Sequence, residues 1–261
     1  MEFSLPQRAF AEALGTALLV LVGPGSVVAT LTLAGKSTPA VTGADLLGIS
    51  FAFGLVIVAL VYALGKVSGC HINPAVTFGL AATKRFPWRE VPAYWAGQVI
   101  GAVVGALAIW AVFAQSAIDL GMGQTSFNEA TTHWGAAIFA EGIGTFILIF
   151  AILGIVDKRS NGDFAGLVIG GVVVAIIMVV GPVTGASLNP ARAFGPELVS
   201  SLKSGVTHWN QLLPVYVLPG LIGSALAAFV YDFVAHPRRV VAPIKDAVTH
   251  TDSDLAIPVG K

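Results

Sequence analysis

Charge is what this chain has least of. Charged residues make up 11% of its 261 positions, against roughly 25% in a soluble domain. Such a chain lacks the polar surface needed to sit in water. The charges cancel to a formal net of zero, which removes any argument for a nucleic-acid partner. Cys70 is the one cysteine, so no disulfide can close within the chain. His133, His208, His236 and His250 have no ligand-like spacing, and no metal or cofactor site is expected. No nucleophile–base pair and no phosphate-binding loop appears, so an enzyme is not expected. No secretory leader is read either. Only about nine residues precede the first long apolar run, with no small-residue cleavage site after a short apolar core.

What is abundant is apolar sequence. Hydrophobic types reach 56%, and mean hydropathy is +0.84. A bilayer core of about 30 Å needs about 20 apolar residues per helix. Six segments meet that length, near 9–33, 45–67, 91–113, 134–156, 164–183 and 212–235. Two shorter apolar stretches open at Asn73-Pro74-Ala75 and at Asn189-Pro190-Ala191, and neither can span. Residues 9–235 therefore read as a single domain. Residues 1–8 form an N-terminal segment, and 236–261 form a tail with scattered charges and prolines that reads as disordered. Eleven of the fourteen lysines and arginines fall on one side of a six-span model, with Lys36 and Lys203 on the other and Arg192 within a short segment. That bias predicts cytoplasmic termini.

The chain repeats itself. AEALGT at 11–16 returns as AEGIGT at 140–145, and VSGCHINPAVTFG at 67–79 returns as VTGASLNPARAFG at 183–195, identical at seven of thirteen positions. In the third span of each half, Tyr94, Gly97, Gly101 and Gly105 align with Tyr216, Pro219, Gly223 and Ala227. Each half, about 9–115 and 134–235, has three spans, an odd number, so the second half must lie inverted relative to the first. Inverted repeats with interrupted segments point to a transport site at the membrane midplane.

Asn is a strong helix N-cap, and Pro is favoured at the first helical position. Each Asn-Pro should thus start a short helix after a re-entrant loop, over about 74–82 and 190–200. Non-helical backbone at membrane depth is tolerated only inside protein or along a wet cavity. Inversion brings the two helix starts together, each with roughly half a positive charge from its dipole. Such a pair repels cations, hydronium included. Glu12 and Glu141 are carboxylates inside apolar spans, which is costly. They either couple protons to transport or accept from backbone N–H groups of the loop in their own half. Their symmetric placement favours the second.

The two triplets, the AExxGT pair, the SGxHINPAVT run and the NPARxFGP run resemble the aquaporin (major intrinsic protein) family over about 9–235. The resemblance implies an all-α membrane protein with six transmembrane helices and two re-entrant half-helices around one pore per subunit. It also implies a homotetramer in the cell membrane. It assigns Asn73, Pro74, Ala75, Asn189, Pro190 and Ala191 to the pore centre. Carried over by distance from the triplets, the resemblance also implies that Phe53, Ile177, Ala186 and Arg192 form the outer constriction. Strictly water-selective members carry His in place of Ile177 and Thr or Cys in place of Ala186. The quartet instead resembles some archaeal and plant vacuolar members. Glycerol facilitators usually have Trp in place of Phe53 and Asp in place of Ala193.

These residues imply a passive channel for water and small neutral solutes such as ammonia, hydrogen peroxide and dissolved gases, with glycerol passing poorly. A glycerol or polyol facilitator and, behind it, a coupled secondary transporter are the alternatives. His71 faces the inner vestibule, either as a pH gate or as a packed donor; the second is the plainer reading. Cys70 stands at the pore wall by resemblance, open to mercurial block, or else simply fills a small-residue slot. Gly97, Gly101 and Gly105 form small-xxx-small faces that read as packing within the subunit.

Overall fold

The computed structural model describes residues 3–35 and 41–235. The tail at 236–261, with Arg238, Arg239, Lys245, His236 and His250, lies outside the described residues, as does Lys36. The long helices are α1 (Leu5–Leu33), α2 (Gly43–Ser68), α4 (Val91–Phe113), α6 (Trp134–Ile155), α7 (Ala165–Thr184) and α10 (Leu218–Ala235). Two short helices start at the triplets, α3 (Pro74–Ala82) and α8 (Pro190–Leu202). The connections carry α5 (Gln115–Asp119) and α9 (Trp209–Gln211). Among the described residues, six helical stretches are long and apolar enough to cross a membrane.

Local chemistry sets the ends. Helix α1 begins at Leu5 rather than at 9, because Ser4 and Gln7 close a capping box and Pro6 sits in the first turn. Apolar counting overlooks polar caps. Helix α2 begins at Gly43 through the same device, with Thr42 and Asp45 bonding reciprocally. One feature was not expected: α10 is preceded by a π-helical turn, Leu212–Val217. Pro214 lies within it, and a proline there cannot donate the regular helical bond.

The packing has matched contacts. Helix α1 packs on α2 and α4, and α6 packs on α7 and α10. Helix α2 packs on α7 across the two halves; α3 packs on α10, and α8 on α4. The close approaches rest on glycine. A Cβ at Gly101 would collide with the Ala13 carbonyl of α1, and one at Gly223 with the Gly142 carbonyl of α6. The small-xxx-small face of α4 is therefore used inside the subunit. Outward, Phe10 is 70% exposed, Phe139 70%, Val179 74% and Phe233 78%. An apolar exterior of this extent suits hydrocarbon, not water.

Candidate pore

Each short helix is started by its Asn. Asn73 Oδ1 accepts from Ala75 N at 2.8 Å. Asn189 Oδ1 accepts from Ala191 N at 3.0 Å and Arg192 N at 3.2 Å. The prolines occupy the first helical position, where no N–H is needed. The two starts are then cross-linked. Asn73 Nδ2 donates to Leu188 O and Asn189 Nδ2 to Ile72 O, each at 2.8 Å. An amide carries two N–H donors, so one proton of each Asn is committed to the other half.

The loops before the helices are bent alike. Gly69, Cys70 and Ile72 have φ of 88°, 50° and 44°; Gly185, Ala186 and Leu188 have 79°, 46° and 54°. Left-handed backbone costs of order 1–3 kcal/mol at a non-glycine residue, most of all at β-branched Ile72. The two carboxylates hold this shape. Glu12 accepts from His71 N at 2.9 Å, Ile72 N at 2.5 Å and Ser68 Oγ at 2.6 Å. Glu141 accepts from Ser187 N at 2.9 Å, Leu188 N at 2.8 Å and Thr184 Oγ1 at 2.6 Å. Hydrogen bonds contribute roughly 0.5–1.5 kcal/mol each, so three at each carboxyl group help to offset the bend.

A narrow cavity passes the two Asn side chains. It leaves about 60 Å³ for water centres, and its lining includes Asn73, Asn189, Leu19, Ile57, Leu148 and Val173. A water needs roughly 10–15 Å³ on that measure, so a short file fits. At one end it shares Phe53, Ile177 and Arg192 with a wider cavity of about 620 Å³. At the other it shares His71, Val76, Ile152 and Ile169 with one of about 760 Å³.

Phe53, Ile177, Ala186 and Arg192 all line the narrow stretch. The Arg192 guanidinium carbon lies 5.2 Å from the centroid of the Phe53 ring, within cation–π range. Its Nη1 donates to Gly123 O at 3.0 Å, so the connection around Gly123 (φ 63°) aims it. Phe53 also packs closely on Gly23 of α1, where a Cβ would strike the ring.

His71 is 8% exposed and its Nδ1 lies 3.1 Å from Thr77 Oγ1. Its ring packs against Phe86 and Tyr94, with centroids at 4.9 and 5.0 Å. Cys70 is 7% exposed, belongs to the apolar cluster, and does not line the narrow cavity. The second mouth carries Arg85, Lys158 and Arg159. There Arg159 donates to Asp157 at 2.6 Å and to Ala235 O at 2.7 Å, tying the α6–α7 connection to the end of α10. The Arg159 bonds hold the Asp157 carboxyl far below the usual carboxylate range.

Several supporting residues escaped sequence reasoning. Gln98 donates to Glu12 Oε2 at 2.8 Å and to Thr77 Oγ1 at 3.0 Å. Tyr94 donates to Ser68 O at 2.7 Å, and Tyr216 to Thr184 O at 3.0 Å. The Ser68/Thr184 and Tyr94/Tyr216 matches in the repeat were the available signal. Gln98 had none, since Gly220 holds its place in the second half.

Six apolar spans around one narrow, partly polar conduit define a multi-pass membrane channel. Comparison with known proteins gives the family. The Major intrinsic protein model matches residues 2–231. Aquaporin AqpM of Methanothermobacter marburgensis is 42% identical over 243 residues, covering 88% of this chain and 98% of the relative. Probable aquaporin AqpM of Archaeoglobus fulgidus is 43% identical over 246 residues, covering 90% and 99%. Among solved structures, the aquaglyceroporin from Plasmodium falciparum superposes with a TM-score of 0.77 at 29% identity, covering 90% of this chain and 98% of that one. The chain belongs to the major intrinsic protein family. It is accordingly a passive channel for water or other small solutes, and not an enzyme.

Proposed function

We propose that the chain is a water channel of relaxed selectivity, passing ammonia, hydrogen peroxide and dissolved gases and admitting glycerol only poorly. The observation that carries this reading is the single narrow conduit in which both Asn side chains and all four filter residues meet. In this reading α3 and α8 are re-entrant half-helices of an inverted repeat that meet at the midplane. Their paired positive ends, with one free N–H on each Asn, orient a water file and repel hydronium. Phe53 and Arg192 set the width of the outer constriction. Ile177 and Ala186 make its remaining walls apolar, which favours weakly hydrated solutes over polyols. Glu12 and Glu141 act as scaffold, since their oxygens are taken up by loop donors.

A second reading, a glycerol or small-polyol facilitator, draws support from the likeness to a solved aquaglyceroporin. Phe53 and Ala193 stand against it, because the resemblance expects Trp and Asp there. The exposed apolar helix faces are consistent with a homotetramer with four independent pores. The lysine and arginine bias supports a cell-membrane protein with both termini in the cytoplasm.

The test is transport by the reconstituted channel. Ammonia entry into proteoliposomes, read by an internal pH dye, should rise linearly with the gradient and ignore an uncoupler. Saturation, or collapse on uncoupling, would indicate a coupled transporter instead.

A further inference from the structure

A separate cavity lies beside the two triplets and shares no lining residue with the narrow conduit. Its volume is about 220 Å³, and its floor is formed by the two proline rings, Pro74 and Pro190. Its walls include Trp95 and Val99 of α4 on one side and Val217 and Leu221 of α10 and the turn before it on the other. These residues form pairs in the internal repeat: Pro74 with Pro190, Trp95 with Val217, Val99 with Leu221. The cavity therefore sits on the line that relates the two halves.

Its existence follows from the packing. Helix α4 is covered there by α8, and α10 by α3, so a furrow remains between α4 and α10. The π-helical turn at Leu212–Val217 shapes one wall, with Leu212 and Val217 both facing in. No ionisable side chain lines it. Outside the furrow the surface continues as apolar residues: Ile100 is 59% exposed, Leu213 58% and Ile222 59%.

We propose that this furrow binds one hydrocarbon chain of a bilayer lipid. Three observations support that occupant. The wall is apolar, so a headgroup or a water cluster has no partner there. The furrow opens onto the outer apolar belt, where hydrocarbon is the medium. An apolar site of about 150 Å³ already holds a benzene-sized guest, so this volume takes several carbons of a chain. The depth of the site rests on the reading that the triplets lie at the midplane, which makes the chain's distal carbons the occupants. A chain seated there touches the Trp95 ring, whose Nε1 donates to Pro74 O at 3.2 Å. It would thus brace the backs of both helix starts.

The experiment is fluorescence quenching of the full chain in vesicles of phosphatidylcholine brominated at different depths. The Trp95 contribution is the difference between the parent and Trp95→Phe. Strong loss of that emission with bromine near the chain end, weak loss with bromine near the headgroup, is the expected result. Leu221→Phe and, independently, Val99→Phe narrow the furrow and should abolish the loss, with water flux reporting that each variant folds. Quenching that persists undiminished in both folded variants would reduce the contact to ordinary surrounding lipid and overturn the proposal. Absence of quenching at every depth would mean that the furrow is empty or covered by a second copy of the chain. Quenching strongest near the headgroup would instead overturn the midplane placement of the triplets.

Discussion

Phe53 is in close contact with Gly23 and has the Arg192 guanidinium 5.2 Å from its ring centroid. Removing the ring should widen the constriction, so Phe53→Ala should raise glycerol permeability several-fold in a proteoliposome swelling assay. An unchanged glycerol rate would remove Phe53 from the filter. Glu141 accepts two loop N–H groups and a hydroxyl in a fully buried setting. Glu141→Ala strands those donors, and stability should fall by about 3 kcal/mol, visible as a lower unfolding temperature in detergent. Water flux should stay flat between about pH 5 and 8, the window in which an ordinary histidine changes charge, because His71 is buried among Phe86, Tyr94 and Thr77. A step in flux within that window would restore the gate. Mercurials should leave flux intact, since Cys70 lies in the apolar cluster rather than in the cavity lining; block abolished by Cys70→Ser would contradict this. The resemblance pointed to Asn73, Asn189, Phe53, Ile177, Ala186 and Arg192, which line the conduit, and also to Pro74, Ala75, Pro190 and Ala191, which do not; it did not point to Leu19, Ile57, Leu148 or Val173. It did not reveal Gln98 or Gly123, whose roles come from tertiary placement and not from any periodic pattern.

Among the elements, the helices were legible and their polar ends were not. Six apolar runs of sufficient length mark six spans, whereas the capping boxes at Ser4 and Thr42 extend α1 and α2 beyond the apolar run. The π-helical turn at Leu212–Val217 was hidden, because an apolar run containing Pro214 looks the same however its backbone bonds are shared out. The glycine register of α4 was visible, and its partner was not until α1 was seen against it. Gly101→Leu should drive α4 off the Ala13 carbonyl. Overpacking of this kind costs about 1–3 kcal/mol or more, and the variant should yield markedly less folded protein by size-exclusion chromatography. Recovery at the parent's level would show that the α1–α4 approach is slack.

The sequence repeats across its two halves, and the proposed selectivity rests on what differs between the copies. Both halves supply an Asn, a Pro, a carboxylate and a left-handed loop. Only the second supplies a cation, Arg192, where the first has Val76. The first instead builds the larger polar network, with Gln98, Thr77 and His71. A conduit symmetric at its centre and unlike at its two ends follows from that pattern. On the proposed reading, this conduit carries water readily and polyols poorly. Water and glycerol permeability measured in parallel by stopped-flow light scattering, on one proteoliposome preparation, tests it most directly. Water flux well above that of empty vesicles with glycerol flux close to background is the result this account predicts. Rapid glycerol flux with water no faster than in empty vesicles would contradict it.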